Sequence, residues 1–202
     1  LGVSTALADV NSTVRANTGD NVSIADAGGL TIAASAAPDG GGNGANSQAF
    51  AGTGGEYLAV DGAIAISKNR GVGEATTGDS GILPGGDVSI TATNNSSQHA
   101  YGSGVSVGGG AGGASYAEAD STAKVDAALG TNTTNVPSLS LTLQATGIDT
   151  NDARALAGTY GVVAGNAAVA QTNNTSEVST VVGAGTALMA GIVSIGALHT
   201  DD

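Results

Sequence analysis

An internal repeat of about 52 residues is the feature that most constrains this sequence. Four segments share one pattern: GGLTIAASA (28–36), GDVSITATN (86–94), LSLTLQATG (139–147) and GIVSIGALH (191–199). The matching residues Leu30, Val88, Leu141 and Val193 are 58, 53 and 52 positions apart. A chain with this spacing is expected to add one similar structural unit per copy.

A second set of segments keeps nearly the same spacing. It consists of LAVDGAIAISKNRG (58–71), AGGASYAEADSTAK (111–124) and VVAGNAAVAQTNNT (162–175). We align Ile66, Ala119 and Ala170, which precede Val88, Leu141 and Val193 by an almost constant distance along the chain. The two sets together predict a single array of repeats over residues 1–202. Its copies are 1–36 (partial), 37–94, 95–147 and 148–202, with an insertion-like APDGGGNGANSQ at 37–48.

Within a copy, the residue pattern is that of β-strands. In DVSITAT, Val88, Ile90 and Ala92 would lie on one face and Asp87, Ser89 and Thr91 on the other. Clusters such as TNNSS and QTNNTS favour turns through their Asn, Ser and Thr side chains. Glycine and β-branched residues interrupt the alanines, which makes a helix costly. We therefore predict an all-β chain.

Large apolar side chains are too scarce for an ordinary globular core. Aromatic residues make up 2% of the chain, and 34 of the 202 residues are glycine. A repeat this poor in hydrophobes is stabilised by stacking on its neighbours. The pattern predicts a parallel β-solenoid (β-helix) with a thin Gly/Ala-rich core and a step of about 4.8 Å between strands. Along 104–119 we expect one face of small residues: Val105, Val107, Gly109, Ala111, Gly113, Ser115, Ala117 and Ala119.

Charge and composition exclude several classes of function. The net charge is −12, and the only cationic residues are Arg15, Lys68, Arg70, Lys124 and Arg154. Nucleic-acid binding needs a basic surface, so no nucleic-acid partner is expected. There is no cysteine, hence no disulfide framework, and no apolar run reaches the roughly 18 residues of a membrane span. The sequence begins at Leu1 without a signal peptide, so we expect a fragment of a longer chain.

Two catalytic or cofactor motifs overlap in GVSVGGGAGGASYAEA (104–119). Gly104, Ser106 and Gly108 match the G-x-S-x-G of serine hydrolases, and Gly108, Gly110 and Gly113 match the dinucleotide-binding G-x-G-x-x-G. In a chain this rich in glycine, a single match to each pattern is about what chance predicts. The histidines, His99 and His199, follow strands at non-equivalent offsets and show no partner in the sequence. We therefore interpret the stretch as strand filler, assign no catalytic or cofactor-binding residue, and predict that the protein is not an enzyme.

Acidic residues near turns raise the alternative of calcium binding. Calcium prefers oxygen ligands, and Glu118, Asp120, Asp126, Asp149 and Asp152 lie near turns within a stretch shorter than one repeat. Neither an EF-hand loop nor the glycine- and aspartate-rich nonapeptide of calcium-binding β-rolls occurs. The other interpretation is that these charges keep the faces soluble and discourage lateral sheet pairing. No metal ligand is assigned, and calcium stays as an alternative.

The order of these segments resembles the repeats of giant bacterial surface proteins, the filamentous-haemagglutinin-like and autotransporter-type adhesins. The residues that carry the resemblance are GVVAGNAAVAQTNNTSEVSTVVG (161–183) followed by AGIVSIGAL (190–198). The resemblance implies a β-solenoid stalk at the bacterial cell surface, outside the cell, with no catalytic residues to transfer. Its partners would be neighbouring repeats or head-to-tail copies, and a host or cell-surface ligand or a polysaccharide.

Two other functions stay open at this stage. A self-assembling filament or surface-layer subunit would join exposed ends head to tail. A carbohydrate-active β-helix enzyme would need aromatic sugar platforms, but Phe50, Tyr57, Tyr101, Tyr116 and Tyr160 do not recur in register. We expect a structural segment that mediates surface projection, adhesion or matrix formation.

Overall fold

The computed structural model describes residues 1–24, 28–36, 44–135 and 137–202, and in these ranges the chain is all-β. The strands are β1 (Gly2–Val10), β2 (Thr13–Asn17), β3 (Leu30–Ala36), β4 (Ala45–Asn69), β5 (Val72–Thr76), β6 (Ile82–Leu83), β7 (Val88–Ser121), β8 (Lys124–Leu129), β9 (Thr134–Asn135), β10 (Ser138–Tyr160), β11 (Val163–Asn174), β12 (Glu177–Val182) and β13 (Ala190–Asp201). The described residues contain no helix long and apolar enough to cross a membrane.

All strand pairs are parallel and link one copy of the pattern to the next. The largest sheet has the order β1-β4-β7-β10-β13, with β3 and β11 also paired to β7. A second sheet has the order β12-β8-β5-β2, and β6 pairs with β9. Parallel pairing between strands far apart in sequence requires a long connection that returns to the same edge. This arrangement of parallel sheets is compatible with a β-helix.

The register of these sheets follows the spacing read from the sequence. Leu30 and Leu141 flank Val88 as its Cα partners, and Leu141 also pairs with Val193. The four residues aligned in the first set of segments are therefore register partners in adjacent strands. The second set is shifted: Ile66 pairs with Glu118, and Ala170 pairs with Ala117. Our alignment of both residues with Ala119 was wrong by one and two positions.

The first full copy, residues 37–94, is longer than the copies that follow it. Ala36 pairs with Asn94, and Ala45 pairs with Gln98. The stretch of chain between Ala36 and Asn94 is longer than the stretch between Ala45 and Gln98. The additional residues therefore lie between Ala36 and Ala45. Of the insertion-like segment 37–48, residues 37–43 lie outside the described residues, and 45–48 belong to β4.

Among the described residues, the core has two apolar clusters of different bulk. One contains the largest buried side chains of the chain, among them Ile90, Leu129, Leu141 and Leu143. The other is built of alanine alone: Ala49, Ala63, Ala65, Ala100, Ala117 and Ala119. The predicted thin Gly/Ala-rich core is therefore wrong for the first cluster, which has ordinary aliphatic packing. It fits only the second, where a methyl group added at Gly102 would lie 2.7 Å from the carbonyl oxygen of Tyr116.

The buried face of β7 changes parity at a turn that the sequence pattern does not reveal. Val88, Ile90 and Ala92 are buried as the alternation predicts, and Ser106 continues this even-numbered face. From Ala111 onward the residues that are buried are odd-numbered instead. Val105 and Val107 are therefore exposed, and their predicted place on one face with Ala117 and Ala119 is wrong. The glycines of 108–110 allow the strand to reverse its inward side without a bulky residue at the bend.

One corner is repeated in every copy and is built on glycine. A Cβ at Gly78, Gly130 or Gly183 would overlap the backbone at Gly19, Gly78 or Gly130, respectively. In each case the overlap is with the corresponding glycine of the preceding copy. Two residues further on, one residue per copy has a positive φ: Asn21, Ser80, Asn132 and Gly185. Asparagine and glycine tolerate this left-handed conformation better than other residues do. Backbone therefore stacks directly on backbone at this corner.

Candidate functional site

The motif glycines of 104–119 serve packing. Gly104 and Gly113 flank the carboxylate of the buried Asp61, since a Cβ at either position would lie 2.8 or 2.6 Å from an Asp61 oxygen. A Cβ at Gly108 would lie 2.7 Å from the carbonyl oxygen of Gly55 in the preceding copy. These glycines therefore make room for a neighbouring carboxylate and a neighbouring backbone.

Ser106, the central serine of G-x-S-x-G, is fully buried. Its hydroxyl donates to the carbonyl oxygen of Gly112 at 2.8 Å and receives a long hydrogen bond of 3.4 Å from Thr53 Oγ1. It lies inside a strand, whereas a nucleophile elbow is a strand-to-helix turn that exposes its serine. Ser106 thus links the parts of β7 that precede and follow the glycines of 108–110.

The five acidic residues considered for calcium do not converge on one point. Glu118 accepts a hydrogen bond from the Tyr116 hydroxyl. The carboxylates of Asp120, Asp126 and Asp152 lie 3.8, 3.1 and 3.2 Å from the side-chain nitrogens of Lys68, Lys124 and Arg154, respectively. Asp149 is buried. The described residues contain no group of three or more acidic, histidine or cysteine side chains placed to hold a metal ion. Calcium binding stays an untested alternative.

Ionic contacts at the surface perturb two groups. The hydrogen bond from Lys124 to Asp126, reinforced by the charge of that carboxylate, raises the pKa of Lys124. The hydrogen bond from Tyr116 to Glu118, together with partial burial, raises the pKa of Tyr116. Both groups keep their protons more firmly than they would in water, which favours structural over acid–base roles for them.

His99 does have a partner, contrary to the sequence-based prediction. It lies within β7, and its Nδ1 is 3.4 Å from Asp152 Oδ2 on the adjacent strand β10. Its Nε2 is 3.1 Å from the hydroxyl oxygen of Ser97, two residues earlier on the same outward face. His99 and Asp152 are Cα partners in neighbouring copies. Sequence reasoning missed the pair because it becomes visible only when the repeat offset is applied to His99.

A polar groove of about 340 Å³ opens beside His99 on the outer face of the large sheet. Its walls come from three adjacent strands, and they include Asn46 and Gln48 from β4, Tyr101 from β7, and Asp152 and Arg154 from β10. The rings of Phe50 and Tyr101 lie 5.5 Å apart at an angle of 54°. The groove therefore combines amide, carboxylate, guanidinium and aromatic groups, all presented by strands rather than loops.

Asp149 is the centre of a second, buried polar cluster. Its Oδ1 accepts a hydrogen bond from Ser96 and another, at 2.8 Å, from Ser121. His199 Nε2 lies 3.0 Å from its Oδ2 and Asn174 Nδ2 lies 3.4 Å away. His199 also lies inside a strand, β13, and its predicted lack of a partner was wrong. The cluster joins residues of two successive copies, 95–147 and 148–202, across the core.

Hydrogen bonding decides the charge state of Asp149. Burial alone would raise its pKa, but hydrogen bonds from Ser96, Ser121, Ser176 and His199 outweigh burial and lower the pKa of Asp149 below its ordinary value. The carboxylate is therefore ionised at neutral pH. Since it is 2% exposed and fully engaged, it acts as a structural link between copies.

Comparison with protein-family profiles, curated protein sequences and solved structures finds no match for this chain.

Proposed function

We propose that the chain is a parallel β-solenoid with one coil per repeat, and that it forms a structural stalk segment of a large extracellular bacterial adhesin or exoprotein. The observation that carries the proposal is the register. Val88 lies beside Leu141, Lys124 beside Glu177, and Gly110 beside Val163, and the separation along the chain is the same in all three pairs. One constant offset on several sides of the molecule is what a stack of equal coils requires.

Contacts between coils support a mechanical role. Ion pairs join neighbouring copies, as in Arg15 with Glu74 at 2.9 Å, and hydrogen bonds do the same, as in Ser140 Oγ to Asp87 at 2.6 Å. Parallel backbone ladders run through all copies along the same axis. A load applied along that axis is shared by many hydrogen bonds at once. Such a stalk would project an adhesive or matrix-forming part away from the cell.

A self-assembling filament is the second candidate. In the large sheet β1 and β13 are edge strands, and in the second sheet β2 and β12 are. Large apolar side chains are exposed on the strands at one end, for example Val163, Ile192 and Leu198. Open strand edges of this kind pair readily with further strands. Further coils of one chain would cover them in a stalk, and another copy would cover them in a filament.

The coil length is tested by deletion. Removing residues 95–147 joins Asn94 to Ile148 and, in a solenoid, takes out one full coil without changing the register. We expect this shortened chain to fold, with strand-type circular dichroism and a cooperative urea transition. Removing 95–121 deletes half a coil and should leave a chain that does not fold. Equal stability of the two variants would contradict a coil of one repeat.

The proposed location and assembly are tested separately. Antibodies to the chain should bind intact bacteria that produce it, and external protease should remove the epitope without lysis. Detection only after lysis would contradict a surface stalk. Negative-stain microscopy of the purified chain distinguishes the two candidates, because end-to-end growth into fibres favours the filament and discrete particles favour the stalk.

A further inference from the structure

We propose that Ser97 is an activated nucleophile and that the site it forms with His99 hydrolyses esters of small acyl groups. The site lies on the outer face of β7, goes beyond the structural role proposed above, and departs from the prediction from sequence that the protein is not an enzyme. It is distinct from the G-x-S-x-G serine, Ser106, which is buried. Hydrogen bonds link the side chains of Ser97, His99 and Asp152 in that order.

The order of atoms is the one that nucleophilic catalysis needs. Asp152 Oδ2 faces His99 Nδ1 at 3.4 Å, so the proton of the neutral ring belongs on Nδ1, where it can be donated to the carboxylate. This leaves the lone pair of Nε2 directed at the Ser97 hydroxyl, 3.1 Å away. A nucleophile in hydrogen-bond reach of a base, which a third group orients, is the recurring arrangement of activated serines.

Strand geometry explains why the three side chains meet. Ser97 and His99 are two residues apart on one strand and therefore share a face. Asp152 is the Cα partner of His99 in the next strand and points to the same face. Arg154 contacts the other Asp152 oxygen at 3.2 Å and helps to hold the carboxylate in place. The positions are thus fixed by a sheet rather than by a loop.

The groove beside His99 supplies room and hydrogen-bond donors. Its volume of about 340 Å³ holds a small acyl group, and its wall includes His99, which lies two residues along β7 from Ser97 on the same outer face. Asn46, Gln48 and Arg154 line it, and each carries N–H groups that can face a carbonyl oxygen as negative charge develops there. Tyr101 gives the groove an apolar wall for the acyl chain.

The reaction proceeds in two balanced halves. The Ser97 Oγ forms a bond to the ester carbonyl carbon while its proton passes to His99 Nε2. The carbon–oxygen bond to the leaving alcohol then breaks, and His99 returns the proton to that alcohol. Water repeats both steps on the acyl-serine, releases the carboxylic acid and restores Ser97. Asp152 keeps its charge throughout and acts as a positioning residue that stabilises the imidazolium.

The second histidine of the chain provides an internal comparison. His199 also lies beside an aspartate, Asp149, but that carboxylate is already engaged by Ser96 and Ser121 inside the core. The same His199 Nε2 faces Asn174 at 3.5 Å. His199 is therefore a suitable control, since losing it removes an imidazole without touching the proposed site.

The test uses a fluorophosphonate probe, which bonds covalently to activated serines, and mass spectrometry to locate it on the intact 202-residue chain. We expect label on Ser97, no label at that position in Ser97→Ala, and labelling at least about 100-fold slower in His99→Gln. Asp152→Asn should also slow labelling. Ser103→Ala, on the same strand and face, and His199→Gln should label at the original rate, with circular dichroism showing that each variant is folded.

Hydrolysis of p-nitrophenyl acetate supplies a second readout. Activity should be lost in both Ser97→Ala and His99→Gln. Activity that survives in Ser97→Ala but disappears in His99→Gln would mean that the imidazole alone is the nucleophile, and the proposal would fail. It would fail equally if Ser97 took no label, if Ser106 or other serines were labelled at the same rate, or if His99→Gln left labelling unchanged.

Discussion

Replacing Gly130 by alanine tests whether backbone stacks on backbone at the repeated corner. The new Cβ would lie 2.6 Å from the carbonyl carbon of Gly78 and 2.9 Å from the nitrogen of Asp79, where ordinary contacts begin at 3.4 Å. Gly130 does not have a positive φ, so alanine brings no conformational strain of its own. The carbonyl oxygen of Gly78 lies closer still, so the cost comes from forcing two neighbouring copies apart by at least about 0.8 Å at this corner.

The size of that cost follows from the hydrogen bonds that span the same step. Gly130 N donates to Thr77 Oγ1 at 2.9 Å, and Thr131 N donates to Asp79 Oδ1 at 2.7 Å. A separation of about 0.8 Å takes both beyond hydrogen-bond range. At about 1 kcal/mol for each bond, plus about 1 kcal/mol for residual overpacking, the free energy of unfolding should fall by about 3 kcal/mol.

Urea denaturation followed by circular dichroism measures this loss. With a slope of about 2–3 kcal/mol per molar urea, the midpoint of Gly130→Ala should fall by about 1 M. Gly54→Ala is the matched control, since nothing lies within 4 Å of a Cβ there. It should leave the midpoint unchanged or raise it slightly, because alanine restricts the unfolded chain more than glycine does. A midpoint for Gly130→Ala equal to that of Gly54→Ala would refute direct backbone stacking at this corner.

Two further predictions concern the core and its buried charge. Leu141→Ala should lower the free energy of unfolding by about 2–5 kcal/mol, because Leu141 is fully buried. Leu139 is exposed in the same strand, so Leu139→Ala should lower the free energy of unfolding by less than about 0.5 kcal/mol. Similar urea midpoints for the two variants would contradict the assigned burial. Asp149→Asn should be less stable than the natural chain at pH 7, because an amide cannot accept all the hydrogen bonds directed at the carboxylate. The pKa of Asp149 is lowered by folding, so its contribution to stability is present above its ordinary value of 3.8 and is lost as pH falls through the folded value. The difference in urea midpoint between the two proteins should therefore narrow in acid, and a difference that does not change with pH would show that the Asp149 charge is not what stabilises the cluster.

The sequence predicted the strands that carry distinctive side chains and misplaced those that do not. Leu30, Val88, Leu141 and Val193 could be aligned because a large apolar residue recurs at one position of an alternating pattern. Ile66 and Ala170 were misaligned because their neighbours are nearly all alanine, serine or glycine, and a shift of one residue alters little in such a run. The exposure of Val105 was missed for a related reason, since three consecutive glycines hide the point where the inward face changes.

The candidate site was invisible in the sequence because its members belong to different copies. Asn46, His99 and Asp152 occupy one row across three strands, and nothing about any one of them is unusual in its own strand. The repeat offset was known from the apolar positions, but it had not been applied to the polar ones. His99 and Asp152 are separated by the same offset as Val88 and Leu141, so applying it would have paired them.

This row also shows where chemistry can arise in a repetitive chain. Perfect repetition would place identical side chains side by side. Three aspartates in a row would repel one another, and three histidines would lack the carboxylate that orients a base. A base, its orienting carboxylate and an amide donor can be neighbours only where the copies differ. The Asp149 cluster obeys the same logic, since Ser96 and Asp149 are also register partners of unlike chemistry. In a chain of this kind, residues that preserve the repeat build the frame, and functional side chains are to be sought where one copy departs from the next.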